Sequence, residues 1–237
     1  MVWRPANFCG VGGCFSSLYP TGFSVPNGKP AVGVFLSPSA ANAIKMQTTS
    51  TQHALSPVSP WIERWSHLLP KQARVLDVAC GSGRHLQWFL NRGHAVTGID
   101  IDVGAARMAA PNATLVCSDM ENAPWPLMKT GQPEQFGAVI VTNYLWRPLF
   151  PTVIQSLAPG GILMWETFAS GNETVGRPTR PDFLLHPGEL LAACEGLHII
   201  AYENGTQANP SRFVQRIVAI RPDTAAPPAG WNALHLL

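Results

Sequence analysis

Residues 74–90, RVLDVACGSGRHLQWFL, constrain the fold of this chain more than any other stretch. A short apolar run enters the turn Gly81-Ser82-Gly83, which opens directly onto Leu86, Phe89 and Leu90 at helical spacing. A buried strand that passes at once into a helix is half of a parallel crossover, because the helix must return the chain over a sheet face before the next strand begins. Gly93 closes this helix, and HAVTGID follows as the second strand. The alternation continues. ATLVCSD from Ala113 is a third strand, APWP a turn, GAVIVTN from Gly137 a fourth strand, and Gly160-Gly161 introduces a fifth, ILMWETF. Pro187 starts a helix through Leu190 and Leu191, after which LHIIAYE and RFVQRIVAI are two strands joined only by a loop. Ahead of these elements Ser59 caps a helix with Pro60 in its first turn and Trp61, Ile62, Trp65, Leu68 and Leu69 on one face, stopped by Pro70. The order predicts an α/β fold, a doubly wound and mostly parallel sheet with an antiparallel strand near its C-terminal end.

One domain over residues 56–222 accounts for all of these elements. Residues 1–55, rich in Gly, Pro and Ser and without an acidic residue or a sustained apolar period, read as a disordered N-terminal extension, and 223–237 as a C-terminal tail. The AVGVFL run is short for a secretory signal, Arg4 is the one arginine a transit peptide would have, and Met46 offers an internal start.

Charge narrows the class of partner. Sixteen Lys and Arg stand against fourteen Asp and Glu, but Arg4, Lys29 and Lys45 precede the first acid, Glu63, leaving thirteen basic and fourteen acidic residues from Glu63 onward. An extended nucleic-acid surface needs Lys and Arg gathered there, so a small-molecule partner is expected instead. No run reaches the roughly 18 apolar residues of a membrane span. The five cysteines, odd in number and without paired CxxC spacing, point to a reducing cytoplasm rather than to disulfides or zinc, and no metal is expected. The oligomeric state stays open.

In open parallel sheets ligands lie beyond the carboxyl ends of the strands, where strand order reverses. Asp77 stands just ahead of the glycine turn, where a carboxylate suits an ammonium group and repels a pyrophosphate. Asp100 ends the second strand, placed to accept from both hydroxyls of a ribose, and Asp119 ends the third, placed to accept from an adenine amino group. Three carboxylates beyond three successive strands describe a site for a nucleoside joined to a cationic amino acid. Taken singly, each has a plainer reading, as a cap, a solvated strand end or an Asx-turn residue. Asp102 rivals Asp100 but more naturally caps the helix at residues 104–108, and Cys80 and His85 read as structural.

Five segments in order, VLDVACGSGRH, GID, CSDME, FGAVIVTNYLW and LAPGGILMWETF, resemble the motifs of class I S-adenosylmethionine-dependent methyltransferases. The small bacterial enzymes of the tellurite-resistance type are loosely similar. The resemblance runs from about Pro57 to Arg221 and implies a seven-stranded Rossmann-like methyltransferase fold with S-adenosyl-L-methionine as cofactor. It implies that Asp77, Ala79, Gly81 and Gly83 hold the methionine part, Asp100 the ribose, and Asp119 with the Met120 backbone the adenine. Ala79 stands where the family usually has Gly, a change expected only to tighten the turn. Methyl transfer asks the protein chiefly to align an acceptor and exclude water. Asn143 and Tyr144 are the candidate catalytic residues, and Trp146, Glu166 and Arg177 candidate substrate contacts, with Thr167 beside them. Asn143-Tyr144-Leu145-Trp146 departs from the NPPY pattern of enzymes that methylate nucleic-acid amino groups. The Gly- and Pro-rich loop 169–185, with Arg177 and Arg180 its only cations, is expected to close over the acceptor.

Overall fold

The computed structural model describes residues 55–223; the expected extension and C-terminal tail lie outside them, but for their boundary residues Leu55 and Asp223. Among the described residues there are nine strands: β1 (Arg74–Val78), β2 (Ala95–Asp100), β3 (Thr114–Cys117), β4 (Met128–Lys129), β5 (Gln132–Pro133), β6 (Phe136–Thr142), β7 (Leu157–Phe168), β8 (His198–Ala208) and β9 (Ser211–Ile220). Five helices accompany them: α1 (Pro60–Trp65), α2 (Arg84–Leu90), α3 (Gly104–Ala109), α4 (Phe150–Gln155) and α5 (Glu189–Ala193). Seven strands form one sheet in the order β3-β2-β1-β6-β7-β9-β8, parallel except for β9, which is antiparallel to both neighbours. This is the predicted doubly wound sheet, and its order reverses between β1 and β6.

Both sheet faces are covered, which is why β1 and β6 read as continuous apolar runs rather than alternating ones. One face packs Leu76, Val78, Val139, Val141, Leu163 and Trp165 against α4 and α5. The other packs Val75, Ile140, Met164 and Val218 against α1 and α2. Ser59 caps α1 as expected, its hydroxyl accepting from the Trp61 amide.

Three differences from the sequence reading have physical causes. α4 was not identified from the sequence: Pro151 sits in its first turn, where a missing N–H costs nothing, and Phe150 packs edge-on to Trp165 at 4.8 Å. β7 does not start after the glycines but includes them, with a register shift between Phe136 and Ala138. A Cβ on Gly161 would lie 2.7 Å from the Ala158 carbonyl oxygen, so the irregularity needs that glycine. Finally, the connection 169–185 is not an unstructured loop. Ala169 and Leu185 form a parallel bridge, and buried Asn172 accepts from the Phe213 amide and donates to the Pro178 carbonyl.

Candidate active site

The segment after β1 turns sharply. Ala79 (φ +56°), Gly81 (φ +54°) and Gly83 (φ +83°) all adopt left-handed backbone. Gly83 has a second reason to be glycine, since a Cβ there would meet Ala106 Cα of α3 at 3.0 Å. Ala79 does more than tighten the turn, contrary to the sequence expectation: its Cβ is held where only glycine is free of strain, at a cost of roughly 1–2 kcal/mol. The turn is tied to the next strand by Asp100, which accepts from the Gly81 amide through Oδ2 at 2.8 Å and from the Asp102 amide through Oδ1 at 3.1 Å. Asp102 accepts from Gly104 at the start of α3, the plainer role expected for it.

Asp77 is the unusual group. It lies within β1, opposite Gly98 and Ile140, is 1% exposed, and neither carboxylate oxygen has a hydrogen-bond partner among the described residues. Burial lifts its pKa to about 8, against the pull of Arg84 and with reinforcement from Asp100. His85 Nδ1 lies 3.8 Å from Asp77 Oδ2, too far for a hydrogen bond. Burial and Arg84 push the His85 pKa down to about 3, so the imidazole is neutral and the pair is not an ion pair. Burial, then Asp77 and Asp100, push the Cys80 thiol up, so it stays protonated and is no nucleophile.

Asp119 is committed to its own turn. Its Oδ1 accepts from the Glu121 and Asn122 amides and its Oδ2 from the Asn122 side chain, and that last bond leads the causes that lower its pKa. Met120 is buried in the core cluster that also holds Tyr144, Val78 and Ile99.

β6 ends next to β1, with Val141 opposite Val78, so Asn143 and Tyr144 emerge beside the glycine turn. Asn143 takes φ +54°, a conformation asparagine tolerates, and its buried Oδ1 is without a partner. The Tyr144 hydroxyl is likewise buried without a well-formed hydrogen bond. Burial raises its pKa, and Glu121, Asp119 and Asp100 add to the rise. Those influences place Tyr144 amid the carboxylates of β2 and β3. Glu121, itself raised by burial and by Asp119, was missed in the sequence, although CSDME contains it. Trp146 is half-buried against the same core.

Glu166, expected as a candidate substrate contact, is engaged by protein groups. It is fully buried, accepts from the Ser59 hydroxyl at 3.1 Å, and pairs with Arg216 Nε at 2.7 Å and Arg212 at 3.5 Å. The Arg216 contact is an ion pair of close approach rather than a well-angled hydrogen bond. Thr167 is also buried. Arg177 is exposed, and Arg180 pairs with Asp182 at 2.7 Å. Arg147, missed in the sequence, pins the far end of the loop, donating to the Asp182 and Leu184 carbonyls and to Glu189. Among the described residues no group of acids, histidines and cysteines has metal-site geometry, and no helix is long and apolar enough to cross a membrane.

Residues 75–161 match the family model described as a methyltransferase domain. YqeM of Bacillus subtilis (strain 168), provisionally named a methyltransferase, is 28% identical over 130 residues, 48% of this chain and 50% of its own. The chain therefore spans about half the length of this curated relative. An S-adenosylmethionine-dependent methyltransferase from Methanosarcina mazei superposes with TM-score 0.55 at 16% identity, covering 70% of this chain and 99% of the other. One from Mesorhizobium loti gives 0.51 at 20% identity, covering 66% and 95%. TehB from Haemophilus influenzae gives 0.50 at 19% identity, covering 63% and 57%. At these identities the superpositions establish the fold alone. The strand order and the glycine turn agree with the match of residues 75–161 to the methyltransferase domain model, and with the fold shared with these S-adenosylmethionine-dependent methyltransferases.

Proposed function

We propose that this protein transfers a methyl group from S-adenosyl-L-methionine to a small-molecule acceptor in the cytoplasm, through a single domain of residues 56–222. The observation that carries the reading is Asp77, a buried carboxylate with no protein partner, next to a glycine turn at the reversal of strand order. An orphaned carboxylate in a folded core is costly unless a ligand completes it, and the ammonium of a bound methionine moiety does so. When bound, the cofactor supplies an activated methyl group on a positively charged sulfur.

The residues present fit such a group. Asp77 holds the ammonium, and the left-handed turn at Gly81 lets backbone approach the methionine part. Asp100, whose two oxygens each accept one amide, keeps lone pairs for ribose hydroxyls. Asp119 and the Met120 backbone form the adenine end, with the Asp119 carboxylate held rigid by its own turn. Asn143 brings an unpartnered amide oxygen and Tyr144 a hydroxyl beside Glu121 to the acceptor side, positioned to orient the accepting atom, while Trp146 and Arg177 border it. The near-neutral folded part supports a small acceptor over a polyanion.

Calorimetric titration with adenosylhomocysteine tests the cofactor reading. Binding in the micromolar range is expected, weakened by about 1–3 kcal/mol in Asp100→Ala, which loses hydroxyl partners and unties Gly81. Absence of binding by the wild type refutes it. Labelled methyl donor offered with a panel of small thiols, amines and hydroxyl compounds beside RNA and protein tests the acceptor class. Label found only in macromolecules overturns the small-molecule part.

A further inference from the structure

The segment preceding α1, residues 55–59, is fastened by three polar contacts to elements around the candidate site. Arg84 donates to the Pro57 carbonyl at 3.2 Å, the Ser59 amide donates to His85 Nε2 at 3.2 Å, and the Ser59 hydroxyl donates to Glu166. The middle contact fixes the tautomer of His85: with Nε2 accepting, a neutral ring carries its hydrogen on Nδ1, and that hydrogen is on the nitrogen nearest Asp77. His85 is 1% exposed and Ser59 2% exposed, so neither contact is shared with bulk water. The imidazole thus stands between a carboxylate without a partner and the amide of a segment that crosses the strand ends.

We propose that His85 is a positioning residue that couples occupancy of the Asp77 carboxylate to docking of residues 55–59 over the site. An ammonium group beside Asp77 favours its ionised form, the proton passing to solvent. The Nδ1–H of His85 then has an anion to donate to, and the 3.8 Å gap closes to a charge-assisted hydrogen bond. A ring that donates more strongly through Nδ1 accepts more strongly through Nε2, so the Ser59 amide is held more tightly. The other charged groups near Asp77 are Arg84 on α2 and Asp100 on β2, with Glu166 and Arg212 beyond Arg84. None of them reaches both Asp77 and Ser59 as His85 does. Cofactor entry therefore tightens the hold on a segment that is already docked beside the methionine end.

This inference rests on the cofactor reading above, and hydrogen exchange with adenosylhomocysteine as probe separates the two. In the wild type, saturating adenosylhomocysteine should slow exchange across residues 57–63 by roughly two- to tenfold, the scale of cooperative strengthening of one buried hydrogen bond. At concentrations that saturate each variant, Asp77→Asn and His85→Leu should each lose that ligand-dependent slowing. His85→Asn, whose amide stands near the Nδ1 position but does not replace Nε2 against Ser59, should likewise lose the slowing. Asp77→Asn removes a buried ionisable group rather than a packing side chain, so it keeps the test open if His85→Leu does not fold. Equal ligand-dependent protection in Asp77→Asn and wild type overturns the coupling while leaving the cofactor reading intact. A wild type that does not bind adenosylhomocysteine overturns both.

Discussion

Replacing Asp77 by Asn should make the ligand-free protein more stable at neutral pH and a poorer binder of adenosylhomocysteine. Burial holds the Asp77 pKa at about 8 in the folded chain, against an ordinary 3.8. The folded protein keeps a proton that the unfolded chain has lost, so this group's contribution is most favourable below about pH 4 and is lost as the pH rises toward 8. Each pH unit in that window costs about 1.4 kcal/mol, and pH 7 lies roughly three units above the unfolded pKa, which gives about 4 kcal/mol. Asparagine is nearly the same size and has no proton to lose. The stability difference between Asp77→Asn and wild type should therefore be near zero at pH 4, grow to about 4 kcal/mol at pH 7 and level off above pH 8. Urea denaturation followed by circular dichroism at half-unit steps from pH 5 to 8.5 measures it. The same experiment in saturating adenosylhomocysteine should shrink the difference, because the wild type then gains an ammonium partner that the amide cannot match. A stability difference independent of pH would refute the reasoning, for it would mean that Asp77 is ionised in the empty site.

Ala79→Gly should raise stability by about 0.5–1 kcal/mol, the relief of left-handed strain less the roughly 0.4–1 kcal/mol gained by a freer unfolded chain. Thermal melts check it, and a lower melting temperature would mean that the Ala79 methyl packs better than the strain costs. Glu166→Ala should destabilise by about 3–5 kcal/mol, because it leaves the Arg216 and Arg212 guanidinium groups poorly compensated beside a fully buried position. Denaturant midpoints measure this, and a loss under about 1 kcal/mol would mean that the arginines find water.

The parts of the fold legible in the sequence were those whose signal is local. β1, β2 and β6 are apolar runs closed by Gly, Asp or Asn, and the turn between β1 and α2 announces itself through Gly81 and Gly83. α4 was obscured by Pro151, which reads as a break unless the helix start is known. The β4–β5 hairpin turns on Thr130 and Gly131, both left-handed, and threonine gives little warning of that conformation. The order of the loop 169–185 depends on Asn172 meeting Phe213, 41 positions away, which no local pattern encodes. The site divides the same way. Asp77, Asp100 and Asn143 could be singled out because they stand at or near strand ends, which are local features, whereas the engagement of Glu166 by Arg216 arises only through the β7–β9 register. Period-2 alternation puts Glu166 on the same sheet face as Met164, but says nothing of what waits there.

The strand order also governs when this protein can become a folded object during synthesis. β9 leaves the ribosome after β8 yet lies inside it, between β7 and β8. Until residues 211–220 emerge, β7 presents an open edge along Ile162–Phe168 and β8 has no strand of the sheet to join. The nascent chain must therefore carry an open apolar edge from the completion of β7 until β9 emerges, a template for wrong pairing that only the last strand removes. The penultimate strand waits on the final one, and the sheet closes from the inside outward.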